Sequence, residues 1–265
     1  MDELQIIVCI KQVPDPESGI DSFSVDLETK RIVPIGVAPY LNPFDENALE
    51  AALRIKDARP CKVTVLSVGD RLSQPVLRKA YVAGADDLIL LTDSQFRDLD
   101  NYSTAKVLSA AIRKIGKYDL ILTGRQSSDW GFGLTGLFIA EMLEIPGISL
   151  AQKVMAKENK VVAEKISQDG YELVEAPMPA LVTVGNEIGE MRYNSAVLAV
   201  RAASKKPIKM LNAHELGLDS AELKTREVFD LFVSCNERKC TLIDGSSVVE
   251  KAAKLIAMMQ NDSII

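Results

Sequence analysis

The chain has 265 residues, enough for one large domain or for one domain with an appendage, and its 47% hydrophobic content supports a full core. The formal net charge of −6 argues against a general nucleic-acid-binding protein. No apolar run approaches the ~20 residues needed to cross a bilayer, and the acidic start does not resemble a secretory signal. We therefore expect a cytoplasmic protein that binds neither nucleic acid nor a membrane.

The first 150 residues alternate between strand and helix patterns. Short apolar runs predict strands over residues 4–10, 62–68, 87–91 and 118–122. Helical spacing of apolar residues predicts helices over residues 43–55, 73–84, 104–115 and 134–143. Asn42 at the N-cap and Pro43 in the first turn mark the start of the first helix. This alternation predicts an α/β fold: a doubly wound, mostly parallel, Rossmann-like sheet with helices on both faces.

The pattern changes after about residue 150. Residues 154–162 and 172–175 predict a hairpin excursion, and residues 180–184 predict a further buried strand. From residue 206 the apolar spacing is weak, which predicts an extended C-terminal arm that ends in a helix after Ser246 or Ser247. We therefore divide the chain into a nucleotide-binding domain, residues 1–205, and an arm, residues 206–265. The last helix is expected to dock on a partner subunit, or alternatively on the chain's own sheet.

A glycine-rich segment, residues 123–136, lies between the fourth predicted strand and its helix. Backbone N–H groups in such a turn point outward and the helix dipole favours negative charge, so the segment predicts a phosphate-binding loop. Arg125 is its single cationic side chain, so backbone amides would do most of the binding. Ligands of parallel sheets bind beyond the carboxyl ends of strands, so residues 11–15 and 67–70 should converge on this loop.

Other signatures in this region are weaker. Gly131, Gly133 and Gly136 match the spacing G-x-G-x-x-G, but in the fourth strand–helix unit instead of the first, where a dinucleotide fingerprint is expected. The chain has no P-loop motif. The four cysteines, at 9, 61, 235 and 240, fit no zinc or iron–sulfur spacing, and we expect no metal site.

Side-chain catalysis is also disfavoured. A hydrolase would combine Ser127 or Ser128 with Asp129 and His214, yet no nucleophile elbow G-x-S-x-G is present. Asp15, Asp45 and Asp129 could approach one another as a metal site, but helix capping and turn hydrogen bonds explain these aspartates better. With no credible acid, base and nucleophile, we predict no catalytic residues and a protein whose bound cofactor supplies the chemistry.

Several motifs, in order along the chain, resemble the β (small) subunits of electron-transferring flavoproteins. They comprise residues 8–15, 41–46, 83–86, 124–136 and 179–184, followed by Arg192-Tyr193. The resemblance implies a heterodimer with an α subunit that carries its own FAD. In ordinary members the β subunit holds structural AMP and relays electrons from an acyl-CoA dehydrogenase.

In electron-bifurcating members the β subunit holds a second FAD, to which NADH donates a hydride. The long segment 18–37 resembles this type, which occurs in anaerobes. The resemblance then implies that electrons pass between NAD(H), a ferredoxin or flavodoxin, and a flavin-dependent dehydrogenase of acyl-CoA, enoyl-CoA or 2-hydroxy acid type. A nucleotide-binding regulatory module without flavin is the third alternative.

The residues expected to bind the cofactor follow from this resemblance, mostly through their backbone amides. They are Cys9, Lys11, Asn42, Ser67, Gly69, Gly124, Arg125, Gln126, Ser127, Asp129, Gly131, Phe132, Gly133, Leu134 and Thr135. Arg125 would stabilise a phosphate or a reduced flavin, and Asp129 would brace the loop by capping amides. A helix over residues 194–203 would contact the dehydrogenase. The departure from the family lies at residues 130–134, where Trp-Gly-Phe-Gly-Leu replaces a Gly-Asp-Thr-Ala-Gln-like run.

Overall fold

A computed structural model describes residues 3–192, 197–225, 228 and 240–265. The chain divides into two compact units, residues 1–229 and 230–265. The strands are β1 (Leu4–Cys9), β2 (Gln12–Pro14), β3 (Phe23–Asp26), β4 (Arg31–Pro34), β5 (Pro39–Leu41), β6 (Cys61–Gly69), β7 (Asp87–Thr92), β8 (Leu120–Gly124), β9 (Gly147–Lys157), β10 (Lys160–Ser167), β11 (Gly170–Pro177), β12 (Ala180–Val184) and β13 (Lys209–Leu211). The helices are α1 (Pro43–Ala58), α2 (Gln74–Leu77), α3 (Lys79–Ala83), α4 (Asn101–Ile115), α5 (Thr135–Leu143), α6 (Val197–Lys205) and α7 (Val248–Asn261).

Nine strands of the described residues form one sheet, in the order β11-β10-β9-β12-β8-β1-β6-β7-β13. Neighbours from β9 to β13 run parallel, and β10 pairs antiparallel with both β9 and β11. The central strands are apolar along their whole length because both faces of the sheet are covered. The predicted doubly wound α/β fold is confirmed.

Strand β1 shows how the sheet divides the core into two layers. Ile6 and Val8 point into the cluster that includes buried residues of α1 and α3. Ile7 and Cys9 point to the opposite face, where they join a cluster with α4 and α5. Side chains alternate between faces along a strand, so this continuous apolar run supplies both layers at once.

The helix predicted over residues 73–84 is two short helices, α2 and α3, interrupted at Arg78. It ends where expected, because Gly84 has a φ of 129°, a conformation that favours glycine. The predicted helix over residues 194–203 begins outside the described residues and corresponds in part to α6. Among the described helices, none is both long and apolar enough to cross a membrane.

Two parts of the chain are more regular than the sequence indicated. The hairpin excursion consists of three long strands, β9–β11, that extend the main sheet instead of standing apart from it. Within the predicted arm, β13 pairs parallel with β7 and buries Leu211 and Ala213. Three residues of strand are too few to give a periodic signal, so sequence spacing could not reveal this edge strand.

The second unit is described from Cys240 onward. Ser247 is the N-cap of helix α7, and its hydroxyl accepts a hydrogen bond from the Glu250 amide, as the predicted cap requires. Val249 and Ile256, two residues of the predicted apolar face, are exposed. Docking of this helix on a partner subunit stays a prediction.

Candidate functional site

A cavity of about 310 Å³ lies at the carboxyl ends of β1, β6 and β8. It is lined by the residues that follow these strands, as the topology of a parallel sheet requires. The predicted residues on its surface are Cys9, Lys11, Asn42, Gly69, Gly124, Arg125, Gln126, Ser127, Asp129, Phe132, Gly133, Leu134 and Thr135. The predicted convergence of three strand ends is therefore confirmed. Ser67 is buried within β6 instead of lining the cavity, and Gly131 also lies off its surface.

Asn42, at the start of α1, holds the loop after β8 by two hydrogen bonds. The Asn42 side chain donates to the Gln126 carbonyl at 2.9 Å and accepts from the Ser128 amide at 3.0 Å. Asn42 occupies the N-cap position, but its side chain makes no capping hydrogen bond to the helix. The side chain predicted to cap α1 instead holds a loop more than eighty residues away.

Asp45, in the first turn of α1, bridges two strand ends. Its carboxylate accepts hydrogen bonds from the Lys11 amide at 2.7 Å and the Gly124 amide at 3.0 Å. Burial raises the pKa of Asp45 to about 7, although hydrogen bonds from Asn42, Lys11 and Gly124 act in the opposite direction. A buried carboxyl therefore forms the floor between β1 and β8.

These bonds narrow the set of amides that can reach a ligand. The amides of Lys11 and Gly124 are engaged by Asp45, and the Arg125 amide donates to the Val184 carbonyl at 2.8 Å. Among the described residues, the Phe132 and Gly133 amides find no acceptor. The amides of Gln126, Ser127 and Asp129 likewise find no acceptor in the described chain, so donors for a ligand remain along the loop up to the first turn of α5.

Close approach of the backbone requires glycine at two positions here. A Cβ on Gly124 would lie 2.5 Å from a carboxylate oxygen of Asp45 and 2.6 Å from the carbonyl carbon of Phe44. A Cβ on Gly136 would lie 2.5 Å from the hydroxyl of Thr123, which is buried and has no hydrogen-bond partner. The unpartnered hydroxyl beside the start of α5 makes this end of the cavity suited to a polar ligand.

Three cationic residues of the described chain line the cavity, Lys11, Arg71 and Arg125, and the contacts of Lys11 and Arg125 fix their positions. The Lys11 ammonium contacts both carboxylate oxygens of Asp129 at 2.7 Å and lies 3.4 Å from the Ser127 hydroxyl. The Arg125 guanidinium lies over the Phe44 ring, 4.8 Å from its centroid, and its buried Nε has no hydrogen-bond partner. Asp129 also accepts from the Trp130 amide at 2.9 Å, so the predicted bracing of the loop is present.

The wall opposite the glycine-rich loop was not expected from the sequence. It is formed by the segment after β7 and the start of α4, and its residues are Phe96, Asp98, Leu99, Asn101, Thr104 and Leu108. Their spacing gives no motif, because they reach the cavity only through the pairing of β6 with β7. Burial raises the pKa of the Cys9 thiol well above its usual range, and the nearby Asp45 adds to this, so that side chain is an inert part of the wall.

The arrangement of the cavity gives no support to a hydrolase or to a metal site. His214 is exposed and does not line the cavity that Ser127 and Asp129 share. Within the described ranges, no group of three His, Cys, Asp or Glu side chains is placed to hold a metal ion.

A family model described as the electron transfer flavoprotein domain matches residues 33–216 of this chain. The chain belongs to the electron transfer flavoprotein family. It is 40% identical over 220 residues to electron transfer flavoprotein subunit beta of Thermoanaerobacterium thermosaccharolyticum, which covers 83% of each chain. These matches confirm the resemblance to β subunits that the sequence motifs carry.

Two further relatives match this chain from end to end. Subunit CarD of the caffeyl-CoA reductase–Etf complex of Acetobacterium woodii is 33% identical over 267 residues, 99% of this chain and 100% of CarD. Subunit gamma of the acryloyl-CoA reductase electron transfer protein of Anaerotignum propionicum is 30% identical over 273 residues, again 99% and 100%. Both relatives are named as subunits of the electron-transfer part of a CoA-ester reductase.

In this electron transfer flavoprotein chain, α1 also anchors the segment before α6. Glu50 is buried and accepts from the Arg192 amide at 3.0 Å and from its guanidinium at 2.9 and 3.1 Å. Arg192 also contacts Asp57 at 2.8 Å. Burial alone would raise the pKa of the Glu50 carboxyl, but hydrogen bonds from Arg192 and Arg54 hold it below its usual value. One helix thus contacts the cavity loops at its start and fixes the Arg192 segment farther along.

Proposed function

We propose that this chain is the β subunit of a heterodimeric electron-bifurcating flavoprotein that holds FAD in the cavity. NADH would supply two electrons as a hydride, leaving NAD⁺. One electron would pass to a ferredoxin or flavodoxin and the other to a flavin-dependent CoA-ester reductase or dehydrogenase. In reverse, the same subunit would combine electrons from the two acceptors to form NADH.

This proposal rests on a group of hydrogen-bond donors, unpartnered in the described chain, at the loop before α5, which we call the cradle: the Thr123 hydroxyl and the amides of Phe132 and Gly133. Phe132 and Gly133 offer amides without an acceptor in the described chain, and Thr123 adds a buried hydroxyl without a partner. Such groups, set at the start of a nine-residue helix, suit a phosphate or pyrophosphate. The residues present therefore fit the phosphate-bearing half of FAD or AMP.

Arg125 has a defined role in this proposal. Its guanidinium is held against Phe44 and keeps one donor, Nε, unpartnered. A fixed positive charge beside the ligand favours a phosphate or an anionic reduced flavin over the neutral form. When bound, a flavin supplies both two-electron chemistry with nicotinamide and one-electron chemistry with protein partners.

The names of two relatives indicate the chemical class of the dehydrogenase partner that we propose. CarD and the A. propionicum subunit are named as parts of a caffeyl-CoA and an acryloyl-CoA reductase system, and both match this chain over 99% of its length. These relatives favour an enoyl-CoA type of acceptor over a 2-hydroxy acid type. The exposed Val197 and Val200 side chains of α6 are where we expect that partner to bind.

One observation favours the AMP-holding alternative. The cavity volume of about 310 Å³ lies at the lower end of the range of small-molecule sites, ~300–1,000 Å³. An adenine nucleotide, which AMP and FAD share, suits this volume, whereas the rest of FAD would extend beyond it.

The deciding experiment counts FAD and AMP released on denaturation of the heterodimer co-purified with its α subunit. We expect two FAD per heterodimer and oxidation of NADH. One FAD with one AMP, and no reaction with NADH, would refute the bifurcating proposal in favour of the AMP-type carrier. A colourless, stable monomer would favour a regulatory module without flavin.

A pair of matched variants tests where the second FAD is held. Arg125→Met should lower the FAD content of the heterodimer because it removes the cation beside the cradle. Arg59→Met removes an arginine at the other end of α1, about 24 Å away, and should leave the FAD content unchanged. Equal FAD contents in the two variants would contradict the placement of FAD in this cavity.

A further inference from the structure

Two aromatic side chains lie at the rim of the cavity, on the loop between β8 and α5. Trp130, the single tryptophan of the chain, is 38% exposed, and Phe132 is 53% exposed. Their rings are parallel to within 3°, with centroids 6.2 Å apart, and both residues line the cavity. Burial of large aromatic rings lowers the free energy of a protein. An exposed pair of rings at the mouth of a ligand site therefore indicates that a ligand or partner covers them.

The loop holds these rings in place from both sides. The Gly131 amide donates to the Ser127 carbonyl at 2.9 Å, and Gly131 has a φ of 68°. Asp129 accepts from the Trp130 amide and is itself paired with Lys11 across the cavity. A side chain that stands on a fixed backbone loses little further freedom when a ligand covers it. The ring pair is therefore pre-organised at the rim.

We propose that Trp130 and Phe132 form a stacking platform for a planar heteroaromatic ring of the nucleotide bound in the cavity. The inference rests on the proposed function only in that the ligand is a nucleotide. Its phosphate would bind the cradle at the start of α5, and a ring that extends past the enclosed volume would lie against the exposed aromatic pair. Stacking of a base on aromatic side chains contributes ~1–3 kcal/mol per base, or about 5- to 150-fold in affinity.

The position of the platform at the rim has a consequence for exchange. Tightly held small ligands have ~70–90% of their surface buried, which requires an enclosing cavity. A half-exposed platform holds a ring on one face and leaves the other accessible. The ring on this platform is thus the part of the nucleotide that a second reactant can approach.

The test uses the heterodimer freed of its β-site nucleotide and measures the dissociation constants of small probes. AMP, FMN and nicotinamide mononucleotide each carry one planar heteroaromatic ring system on a phosphorylated sugar or sugar alcohol. Ribose 5-phosphate carries no heteroaromatic ring. Binding is followed by calorimetry and by the fluorescence of Trp130, taken as the difference between the wild type and Trp130→Phe. Urea unfolding of each variant confirms that the fold is intact.

The double variant Trp130→Leu, Phe132→Leu removes both rings while keeping apolar side chains at the rim. We expect it to weaken at least one ring-bearing probe by about 5- to 150-fold while ribose 5-phosphate binds as before. Trp130→Phe should stay close to the wild type because it retains a ring. The probe that loses most affinity identifies the ring that occupies the platform.

Three results would overturn the platform. The first is that ring-bearing probes bind the double variant as tightly as the wild type, and the second is that binding of ribose 5-phosphate weakens by the same factor as theirs. Loss of the α subunit with unchanged nucleotide affinity would instead assign the rings to the subunit interface. The count of FAD and AMP in the wild type tests the proposed function separately, since an AMP-type carrier could still use the platform.

Discussion

Replacement of Gly124 by alanine tests whether the cradle depends on close contact between β8 and α1. A Cβ at this position would lie 2.6 Å from the Phe44 carbonyl carbon and 2.5 Å from an Asp45 oxygen. Ordinary contacts begin near 3.4 Å, so the start of α1 would have to move by about 0.8 Å. Because the obstacle is backbone, rotation of one side chain cannot relieve it.

The cost can be worked out from these contacts. Overpacking costs ~1–3 kcal/mol, and weakening the hydrogen bonds between a buried carboxylate and its amide donors adds ~1.5–3 kcal/mol. We therefore expect Gly124→Ala to lower the free energy of unfolding by about 2.5–6 kcal/mol. The displaced α1 would also withdraw Asn42 from the loop, so nucleotide content should fall.

The assay is urea unfolding of the full-length chain, followed by circular dichroism, with nucleotide content measured in parallel on the heterodimer. Gly19→Ala is the matched control, because Gly19 has an ordinary φ of −64° and no atom within 4 Å of the added Cβ. It should change stability by less than about 0.5 kcal/mol. If Gly124→Ala behaved like this control and kept its nucleotide, the argument from close approach would be refuted.

Two further predictions concern α1. The folded-state pKa of about 7 for Asp45 lies above its ordinary value, so the folded chain keeps a proton that the unfolded chain loses as pH rises from 4 to 7. The free energy of unfolding of the wild type, relative to Asp45→Asn, should therefore fall by about 4 kcal/mol over that pH window and stay constant above it, as measured by urea unfolding. A difference between the two proteins that does not change with pH would contradict the buried carboxyl. Arg192→Met should lower the free energy of unfolding by about 2–3 kcal/mol because it leaves Glu50 buried with one partner fewer. Arg192→Lys should lower it by about 1 kcal/mol, because the charge is kept while the two-pronged contact with Glu50 and Asp57 is lost. Equal losses in these two variants would show that charge alone matters.

The class of fold and the region of the site follow from sequence patterns alone. Apolar runs such as residues 118–122 predict strands buried on both faces, and their alternation with helical spacing leaves a parallel sheet as the consistent arrangement. In such a sheet the carboxyl ends of strands must share one edge, so the meeting of Lys11, Gly69 and Gly124 at one cavity was predictable. The order of motifs was sufficient to identify the family, which the comparisons confirm.

Contacts between distant segments, in contrast, set how the site is held together and which groups face a ligand. Asn42 and Asp45 look like helix-capping residues in the sequence, yet their side chains engage loops about 80 residues away. The amides of Lys11 and Gly124, expected to bind a ligand, are consequently taken by Asp45. Sequence periodicity reports only on neighbours within a turn or a strand, whereas these bonds depend on how distant segments are brought together by sheet pairing. The same reason hid the edge strand β13 and the salt bridge between Glu50 and Arg192.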